Sequence, residues 1–424
     1  MSKIKMYPNN FIGGTIDVPA SKSILHRLIV ASFLTKGESI INNATLSDDI
    51  LATIRAVEAL GAKVEINGDV IKVTGRETYE LDHDVVIDCG ESGSTLRFLI
   101  PICTLFNRNI KLVGKESLFV RPLDVYEKIF KDNNATFIKE KDSLIVGGTL
   151  DKISGPIDGS ISSQFISGLL FILAKRKEDT TLHIKSLQSK PYVALTIEVL
   201  KCYGIKVDYN QYLQKIKVYG NQEFHPTIEE SSGDYSQAAN FFVLRALTNA
   251  KIKLNGLNPL SMQGDKKIIE LIDNYYQNTP ILAKLSPKLA SKLNKRVVID
   301  VAHIPDLGPI LMVLLTHNGG YITNFRRLIF KESNRVLSMT EELRKFGVVV
   351  KELGKRIYIP KYNGETLRGD IDPHNDHRVL MAMVIMALAY NQEAVINDVE
   401  TVNKSYPNFF NDLEKIGVKI ERYE

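Results

Sequence analysis

The chain repeats one short pattern: an amphipathic helix, a glycine or asparagine that ends it, and an alternating strand. In the first copy Ile50, Ile54 and Val57 recur at helical spacing within 48–60, Gly61 ends the helix, and residues 62–66 alternate as a strand does. Four further copies have helices over 123–131, 193–203, 335–346 and 408–416, which are followed in the same order by strands over 136–139, 205–209, 348–351 and 418–420. A degenerate sixth copy has a helix over 265–276, and an irregular stretch to 295 follows it. One unit cannot bury its apolar helix face alone, so we predict an α/β protein of packed copies in two lobes, with helices inside and strands outside.

Length and composition limit the classes of protein that this chain can belong to. Its 424 residues exceed one simple core and predict two or three domains. The net charge of +5 is spread without a dense basic block, so we do not expect a nucleic-acid partner. Three cysteines, no signal-like stretch in residues 1–10 and a longest apolar run of only 379–390 predict a cytoplasmic protein without a membrane span.

Several predicted helix starts carry hydroxyl, amide or basic side chains. Lys22 follows Pro19 where free N–H groups and the helix dipole favour an anion. In the loop 89–97, Gly90 and Gly93 allow a ligand close to the backbone. A further helix starts at 159–164 with two adjacent serines followed by a glutamine. Each start alone can be an ordinary capped helix. Together they predict a cavity for phosphates and carboxylates.

Four later segments are helix starts of the same kind, and the last three of them add carboxylates. These are 189–192, 303–306, 331–335 and 376–378. His374 and His377 with Asp372 and Asp376 could also be metal ligands, but Arg378 beside them would repel a divalent cation and no second cluster completes a coordination shell. We therefore predict an anion site without a metal.

These motifs resemble those of the 5-enolpyruvylshikimate-3-phosphate synthase family, in the same order over nearly the whole chain. The matching segments are 19–23, 114–122, 162–164, 189–192, 303–306, 331–332 and 376–378. The resemblance implies a two-lobed enolpyruvyl transferase fold with three βαββαβ-type repeats in each lobe. It places one lobe at residues 1–19 plus 233–424 and the second at 20–232, with the active site in the cleft between them.

Two stretches depart from the family pattern. The family loop Gly-Asn-Ala/Ser-Gly-Thr is here Gly90-Glu91-Ser92-Gly93-Ser94, and the family's Asn-Trp-Arg-Val before Lys-Glu is here Arg-Leu-Ile-Phe at 327–330. Both lie on the phosphoenolpyruvate side of the family's site, where glyphosate competes. These departures affect the predicted contacts with phosphoenolpyruvate and glyphosate, and they leave the predicted class of reaction unchanged.

The resemblance implies transfer of the enolpyruvyl group of phosphoenolpyruvate to the 5-hydroxyl of 3-phosphoshikimate, a step of aromatic amino acid biosynthesis that releases phosphate. Addition to a poorly electrophilic alkene needs a base at the hydroxyl and an acid at the methylene carbon. By resemblance Asp306 is the base, Glu332 is the acid, and Lys22 also takes part. No metal or organic cofactor is implied, and we expect a monomer.

The resemblance also assigns the binding residues. Those for 3-phosphoshikimate are Lys22, Ser23, Arg27, Ser162, Ser163, Gln164, Ser189, Tyr192, Asp306 and Lys331. Those for phosphoenolpyruvate are Lys22, Gly93, Arg121, Gln164, Arg335, Arg378 and Lys404.

Two alternatives stay open from sequence. The sister transferase that acts on UDP-N-acetylglucosamine usually has Lys-Asn near its N-terminus and a loop cysteine five residues before Arg-Pro. Those positions are Ser23 and Glu116 here, which disfavours that enzyme. A non-catalytic protein that binds phosphates or nucleic acid would not need Asp306 and Glu332 among the cations.

Overall fold

The computed structural model describes residues 3–7, 12–153, 155–248, 250–277 and 297–423. Its helices are α1 (Lys22–Phe33), α2 (Asp48–Ala59), α3 (Gly93–Ile102), α4 (Glu116–Val120), α5 (Asp124–Asp132), α6 (Gln164–Leu173), α7 (Lys190–Cys202), α8 (Tyr235–Thr248), α9 (Ile268–Gln277), α10 (Gly308–Leu315), α11 (Arg335–Lys345), α12 (His377–Ala389) and α13 (Phe409–Lys415). Short 3-10 helices lie at Cys103–Leu105, Gly264–Lys267, Pro305–Leu307, Phe325–Phe330 and Val399–Lys404.

The strands alternate with these helices along the chain. They are β1 (Lys3–Tyr7), β2 (Gly13–Asp17), β3 (Glu38–Asn42), β4 (Lys63–Asn67), β5 (Val70–Thr74), β6 (Val86–Asp88), β7 (Ile110–Val113), β8 (Thr136–Lys139), β9 (Ser143–Gly147), β10 (Pro156–Asp158), β11 (Thr180–Lys185), β12 (Val207–Tyr209), β13 (Lys215–Val218), β14 (Ile228–Glu230), β15 (Lys251–Asn255), β16 (Val297–Asp300), β17 (Gly320–Thr323), β18 (Lys351–Leu353), β19 (Arg356–Ile359), β20 (Ala394–Ile396) and β21 (Lys419–Tyr423).

The chain forms two compact units. One is Pro19–Ser232, and the other combines Met1–Val18 with Gly233–Glu424. We call them the central unit and the terminal unit. The chain therefore passes from one unit to the other between Val18 and Pro19 and returns between Ser232 and Gly233.

One sheet arrangement recurs in both units. In the central unit the strand orders are β14-β3-β5-β4, β6-β7-β9-β8 and β10-β11-β13-β12, and in the terminal unit β16-β17-β19-β18 repeats the arrangement. In each of these sheets the first two strands are parallel and the others antiparallel. Parallel neighbours in a sheet need a crossover connection. Helix α3 connects β6 to β7, α6 connects β10 to β11, and α10 connects β16 to β17. The terminal unit also has a sheet β20-β1-β21 and the parallel pair β2 and β15.

Helices form the core of each unit, and the sheets cover it. The helix α12 is buried from His377 to Leu388, as expected for a helix that is apolar on all sides. The strand β5 alternates between buried and half-buried residues, so one of its faces points outward. No helix among the described residues is long and apolar enough to cross a membrane.

Helix α7 begins at Lys190, with Ser189 as a left-handed N-cap and a proline early in the helix, which agrees with the helix start predicted at 189–192 and extends the helix of the repeat copy, predicted over 193–203, toward its N-terminus. The structure corrects two other details of the sequence analysis. The strand predicted over 348–351 is observed at Lys351–Leu353, because only these residues pair with β19, while Val348 and Val350 are buried in the segment between α11 and the strand. The sixth repeat begins as the 3-10 helix Gly264–Lys267, and the stretch that follows it lies largely outside the described residues.

Candidate active site

In the central unit, the start of α3 brings together three of the residues predicted to bind phosphoenolpyruvate. A Cβ atom on Gly93 would lie 2.9 Å from Nη1 of Arg121 and 3.2 Å from Nη1 of Arg97. Nη1 of Arg97 donates to Oε1 of Gln164 at 2.8 Å, and Nε2 of Gln164 donates to Oγ of Ser94 at 2.8 Å. Glycine at 93 therefore leaves space in which two guanidinium groups approach the backbone.

Arg121 presents a buried guanidinium to this space. It lies directly after α4 and only 9% of its surface is exposed. Its Nε and Nη2 atoms have no hydrogen-bond partner among the described residues. Buried donors without an acceptor are costly, and an anionic ligand would supply the missing acceptors.

Lys22, at the first position of α1, pairs with a carboxylate on α2. Its Nζ atom lies 2.6 Å from Oδ2 of Asp49, and both side chains are mostly buried. Behind this pair, a chain of hydrogen bonds joins three helices: His26 Nδ1 to Thr53 Oγ1 at 2.7 Å, and Thr53 Oγ1 to Thr95 Oγ1 at 2.7 Å. The start of α1 is thus held against α2 and the start of α3.

Arg27 is more fully occupied by the protein than its predicted substrate contact suggests. It donates to Thr196 Oγ1 (2.8 Å), Ser23 O (2.6 Å), Tyr192 O (3.0 Å) and Ser167 Oγ (3.5 Å). Burial lowers the pKa of Arg27 to about 10. These four bonds to described residues use most of the five guanidinium N–H groups. Arg27 therefore joins α1 to α6 and α7, and its contact with a substrate carboxylate stays a prediction.

The predicted phosphate ligands lie at two adjacent helix starts. Ser162 and Ser163 are buried just before α6, where Ser162 Oγ accepts a hydrogen bond from Gln164 N at 3.2 Å. Ser189 is buried at the start of α7 in a left-handed conformation with φ of 51°. Hydroxyls at helix N-termini suit a phosphate dianion.

In the terminal unit, Asp306 lies in a 3-10 turn between two cations. Its Oδ1 atom is 3.0 Å from Lys331 Nζ and 2.8 Å from Arg335 Nη1. Burial alone would raise the pKa of Asp306, but Lys331, Arg335 and Arg378 hold it well below its usual range. Burial lowers the pKa of Lys331 to about 8 although Asp306 opposes that shift. Asp306 is therefore ionised at neutral pH.

Arg378 is the terminal unit's counterpart of Arg121. It lies in the first turn of α12, is 6% exposed, and its Nε and Nη1 atoms have no hydrogen-bond partner among the described residues. Its backbone N–H donates to Oδ1 of Asp376, the N-cap of the helix, at 2.9 Å. Nearby, Lys404 Nζ donates to the backbone and side-chain oxygens of Asn375 at 2.7 and 3.0 Å.

Glu332 pairs with a histidine. Its Oε2 atom lies 2.9 Å from Nδ1 of His377, which is 1% exposed. Glu332, Asp376 and His377 are the one group of three possible metal ligands among the described residues. Asp376 is already bound through both oxygens by Arg335, and the positive charges beside it disfavour a divalent cation. The four residues considered as metal ligands from sequence do not converge, since His374 bonds to Glu342 instead.

Several residues of these clusters were not assigned to the site from sequence, among them Arg97 and Asp265. Arg97 lies in the segment 89–97 that was predicted to approach a ligand, but it was not assigned to the site. Its position about one turn into α3 was the available signal. Asp265 carried no signal, because it falls inside a segment read as an ordinary helix. It is 1% exposed, accepts a hydrogen bond from Ser236 Oγ, and burial together with Asp306 raises its pKa to about 7.

Repeated sheets around buried helices, with cations and carboxylates at the helix starts, define an enolpyruvyl transferase fold. The enolpyruvyl transferase NikO from Streptomyces tendae has a TM-score of 0.73 at 15% identity, covering 100% of this chain and 99% of that chain. EPSP synthase from Acinetobacter baumannii has a TM-score of 0.77 at 21% identity, with both chains fully covered. The predicted fold class is confirmed.

The chain belongs to the EPSP synthase (3-phosphoshikimate 1-carboxyvinyltransferase) family, whose profile matches residues 6–413. It is 37% identical over 437 residues to the 3-phosphoshikimate 1-carboxyvinyltransferase of Clostridium novyi (strain NT), covering 100% of this chain and 99% of the relative. It is 34% identical over 440 residues to the enzyme of the same name from Clostridioides difficile (strain 630), covering 100% of this chain and 99% of the relative. The resemblance read from the motifs is therefore confirmed.

Proposed function

We propose that this chain transfers the enolpyruvyl group of phosphoenolpyruvate to the 5-hydroxyl of 3-phosphoshikimate and releases phosphate. Membership of the family supports the reaction class. The geometric observation that carries the proposal is the contrast between two carboxylates of the terminal unit. Asp306 lies between two cations, whereas Glu332 lies against His377. Carboxylates in different surroundings can serve as base and acid in one reaction.

In the first half of the proposed reaction, the substrate hydroxyl adds to C2 of phosphoenolpyruvate. Asp306 accepts the hydroxyl proton as the new C–O bond forms, and Lys331 stabilises the developing charge. Glu332 delivers a proton to C3, with His377 hydrogen-bonded to its carboxyl group. The product of this half is a tetrahedral ketal phosphate.

In the second half, the ketal expels phosphate and C3 loses a proton, which restores the carbon–carbon double bond in the product. Glu332 takes this proton back. The cations predicted to hold the phosphate and carboxylate stabilise the departing charge: Lys22, Arg121, Arg335, Arg378 and Lys404. Gly93 leaves room for the ligand beside Arg121, and Gln164 orients Arg97.

Binding of 3-phosphoshikimate follows from the helix starts of the central unit. Ser162, Ser163 and Ser189 offer hydroxyls to its phosphate. The remaining assigned contacts, from Ser23, Arg27, Tyr192 and Gln164, belong to this proposal as well. We also propose that the protein acts as a monomer in the cytoplasm and needs no metal, nucleic acid or membrane partner. Sedimentation of the purified protein tests its oligomeric state.

Phosphate release tests the proposed reaction. We expect release with phosphoenolpyruvate plus 3-phosphoshikimate, none with UDP-N-acetylglucosamine as acceptor, no effect of a chelator, and loss of turnover in a Glu332→Gln variant. Activity with the sugar nucleotide instead would assign the chain to the sister reaction. Silence with both acceptors would reject the proposal.

A further inference from the structure

A four-residue turn, 372–375, precedes the N-cap of α12 and contacts the predicted phosphoenolpyruvate cations. At the end of the turn, both oxygens of Asn375 accept hydrogen bonds from Lys404 Nζ. The next residue, Asp376, binds the guanidinium of Arg335 and caps the helix at Arg378. The conformation of this turn therefore sets the positions of three cations: Arg335, Arg378 and Lys404.

The turn has an uncommon backbone. His374 and Asn375 are both left-handed, with φ of 50° and 57°. Histidine and asparagine adopt this region more readily than most residues, yet two in succession carry a conformational cost. Such a conformation persists when contacts from outside the turn hold it.

The outside contacts come from one buried carboxylate on α11. Glu342 Oε2 accepts from the backbone N–H of Asp372 at 3.2 Å, and its Oε1 is hydrogen-bonded to Nε2 of His374 at 3.0 Å. The Glu342 side chain is 1% exposed and the His374 side chain 25%. Glu342 thus holds the turn at its first and third residues.

The charges around His374 favour its protonated form. Glu341 Oε2 lies 3.8 Å from Nε2, and Asp372 Oδ1 accepts from the His374 backbone N–H at 2.7 Å. Lys345 Nζ lies 2.8 Å from Glu342 and supplies one further positive charge. The hydrogen bond to Glu342 raises the pKa of His374, against the opposing effect of burial. The charged pair is therefore complete at low pH and is lost as pH rises through the raised pKa.

We propose that His374 is a positioning residue whose ion pair with Glu342 fixes the 372–375 turn and so aligns the guanidinium and ammonium groups that bind the phosphoenolpyruvate anion. The identity of this anion rests on the proposed function. His374 itself does not touch the substrate in this account. Its loss therefore acts through the three cations, first on the affinity for phosphoenolpyruvate and to a smaller extent on the charge that they stabilise as phosphate departs.

The kinetic test compares His374→Ala and His374→Gln with the wild-type protein and with His83→Gln. His83 is a suitable control because it is also hydrogen-bonded to a carboxylate, Asp82 Oδ1 at 2.6 Å, but on the surface of the central unit. For His374→Ala we expect the KM for phosphoenolpyruvate to rise on the order of tenfold, the scale of a small misplacement of binding groups, with a smaller fall in kcat and with the KM for 3-phosphoshikimate little changed. His83→Gln should change none of them.

The pH profile separates this role from a merely structural one. In the wild-type protein the KM for phosphoenolpyruvate should rise as pH increases through the pKa of His374. In His374→Gln, which keeps a neutral donor, that increase should be absent. An identical pH profile in both proteins, or equal effects on the two substrates, would overturn the proposal.

Hydrogen exchange provides a measurement that does not depend on turnover. We expect His374→Ala to speed exchange of the backbone N–H groups of Asp372, His374, Asp376 and Arg378, and to leave the middle of α12 protected. Unchanged exchange in this segment would also overturn the proposal. If the wild-type protein were silent with both acceptors, the proposed function would fail, while the exchange result would still decide whether His374 holds the turn.

Discussion

Arg335 donates to both carboxylate oxygens of Asp376, from Nε to Oδ2 at 2.8 Å and from Nη2 to Oδ1 at 3.3 Å. Both side chains are almost completely buried, with 2% and 0% of their surfaces exposed. Burial would lower the pKa of Arg335, but Asp376, Asp306 and Glu332 together raise it. The third nitrogen of Arg335 reaches Asp306, so one guanidinium connects the cap of α12 with the proposed base.

Removing the charge of Asp376 should therefore harm both stability and binding. Asp376→Ala leaves a buried guanidinium without its main partner, and we expect the free energy of unfolding to fall by about 3–5 kcal/mol. Asp376→Asn keeps the shape and should lose less. Urea denaturation measures the change, and Asp82→Ala, on the surface, is the control. A loss under about 1 kcal/mol in Asp376→Ala would show that Asp306 alone compensates Arg335.

Replacing Arg121 or Arg378 should weaken ligand binding without lowering stability, because two nitrogens of each guanidinium have no hydrogen-bond partner in the part of the chain that the structure describes. Arg121→Gln and Arg378→Gln should each raise the KM for phosphoenolpyruvate by roughly 10–100-fold, the loss of a charge-assisted bidentate contact. Without ligand, each variant should be as stable as the wild-type protein or more stable. Phosphoenolpyruvate should raise the Tm of the wild-type protein and not that of the variants.

The matched control for these variants is Arg422→Gln. Arg422 is half-exposed and both of its Nη atoms bind Glu414. An exposed pair of this kind contributes little, so the KM should not change. Lower ligand-free stability in Arg121→Gln or Arg378→Gln would contradict the assignment of their donors to a ligand.

Lys331 predicts a decline of activity at alkaline pH. Its pKa is lowered to about 8 by burial, and the protonated form is the one that stabilises charge next to Asp306. We expect kcat to fall as pH rises through about 8 in the wild-type protein. In Lys331→Arg, which stays protonated, this decline should move beyond the measured range. If kcat of Lys331→Arg still fell near the same pH, the decline would come from the titration of another group.

Protonation of Asp306 should not lower kcat at acidic pH. Lys331 and Arg335 hold its pKa well below the usual range, so it stays ionised as pH falls toward 5, which lies above that range. Measured kcat between neutral pH and about 5 should therefore show no loss from Asp306. Asp306→Asn should nevertheless abolish turnover at every pH.

The loop departure at Glu91 predicts a coupled pair. Glu91 is 8% exposed at its side chain, forms an ion pair with Lys115, and lies two residues from Gly93. Lys115→Ala leaves a buried negative charge near the anion site, so the KM for phosphoenolpyruvate should rise by about 3–10-fold. Glu91→Gln should not raise it, and the double variant should resemble Glu91→Gln. Additive effects in this double-mutant cycle would show that the two residues act independently.

The elements that sequence predicted well are those that depend on local rules. Helix α2 was predicted over 48–60 and is observed at Asp48–Ala59, because helical spacing and the stop at Gly61 are both local. The strand predicted over 348–351 is present but begins three residues later, at Lys351. Its apolar residues Val348 and Val350 are buried by tertiary packing, which alternation alone does not distinguish from a strand.

In the candidate site, too, positions that depend on local sequence were predicted, whereas contacts that depend on tertiary packing were not. Motifs placed Lys22, Asp306 and Arg335 at helix starts, where the structure has them. Their partners could not be predicted, because pairs such as Lys22 with Asp49 join segments that only the packed fold brings together. The hydrogen bonds of Arg27 to Thr196 and Tyr192, and that of His374 to Glu342, also join segments that only the packed fold brings together.

Gly93→Ala should weaken phosphoenolpyruvate binding through Arg121. The added Cβ would lie 2.9 Å from Nη1 of Arg121, closer than a carbon tolerates, and the flexible guanidinium is the group that must move. We expect the KM for phosphoenolpyruvate to rise on the order of tenfold, with the Tm and the KM for 3-phosphoshikimate almost unchanged. Because both changes act on one guanidinium, Gly93→Ala should add little to Arg121→Gln. Fully additive losses in the double variant would place the effect of residue 93 elsewhere in the site.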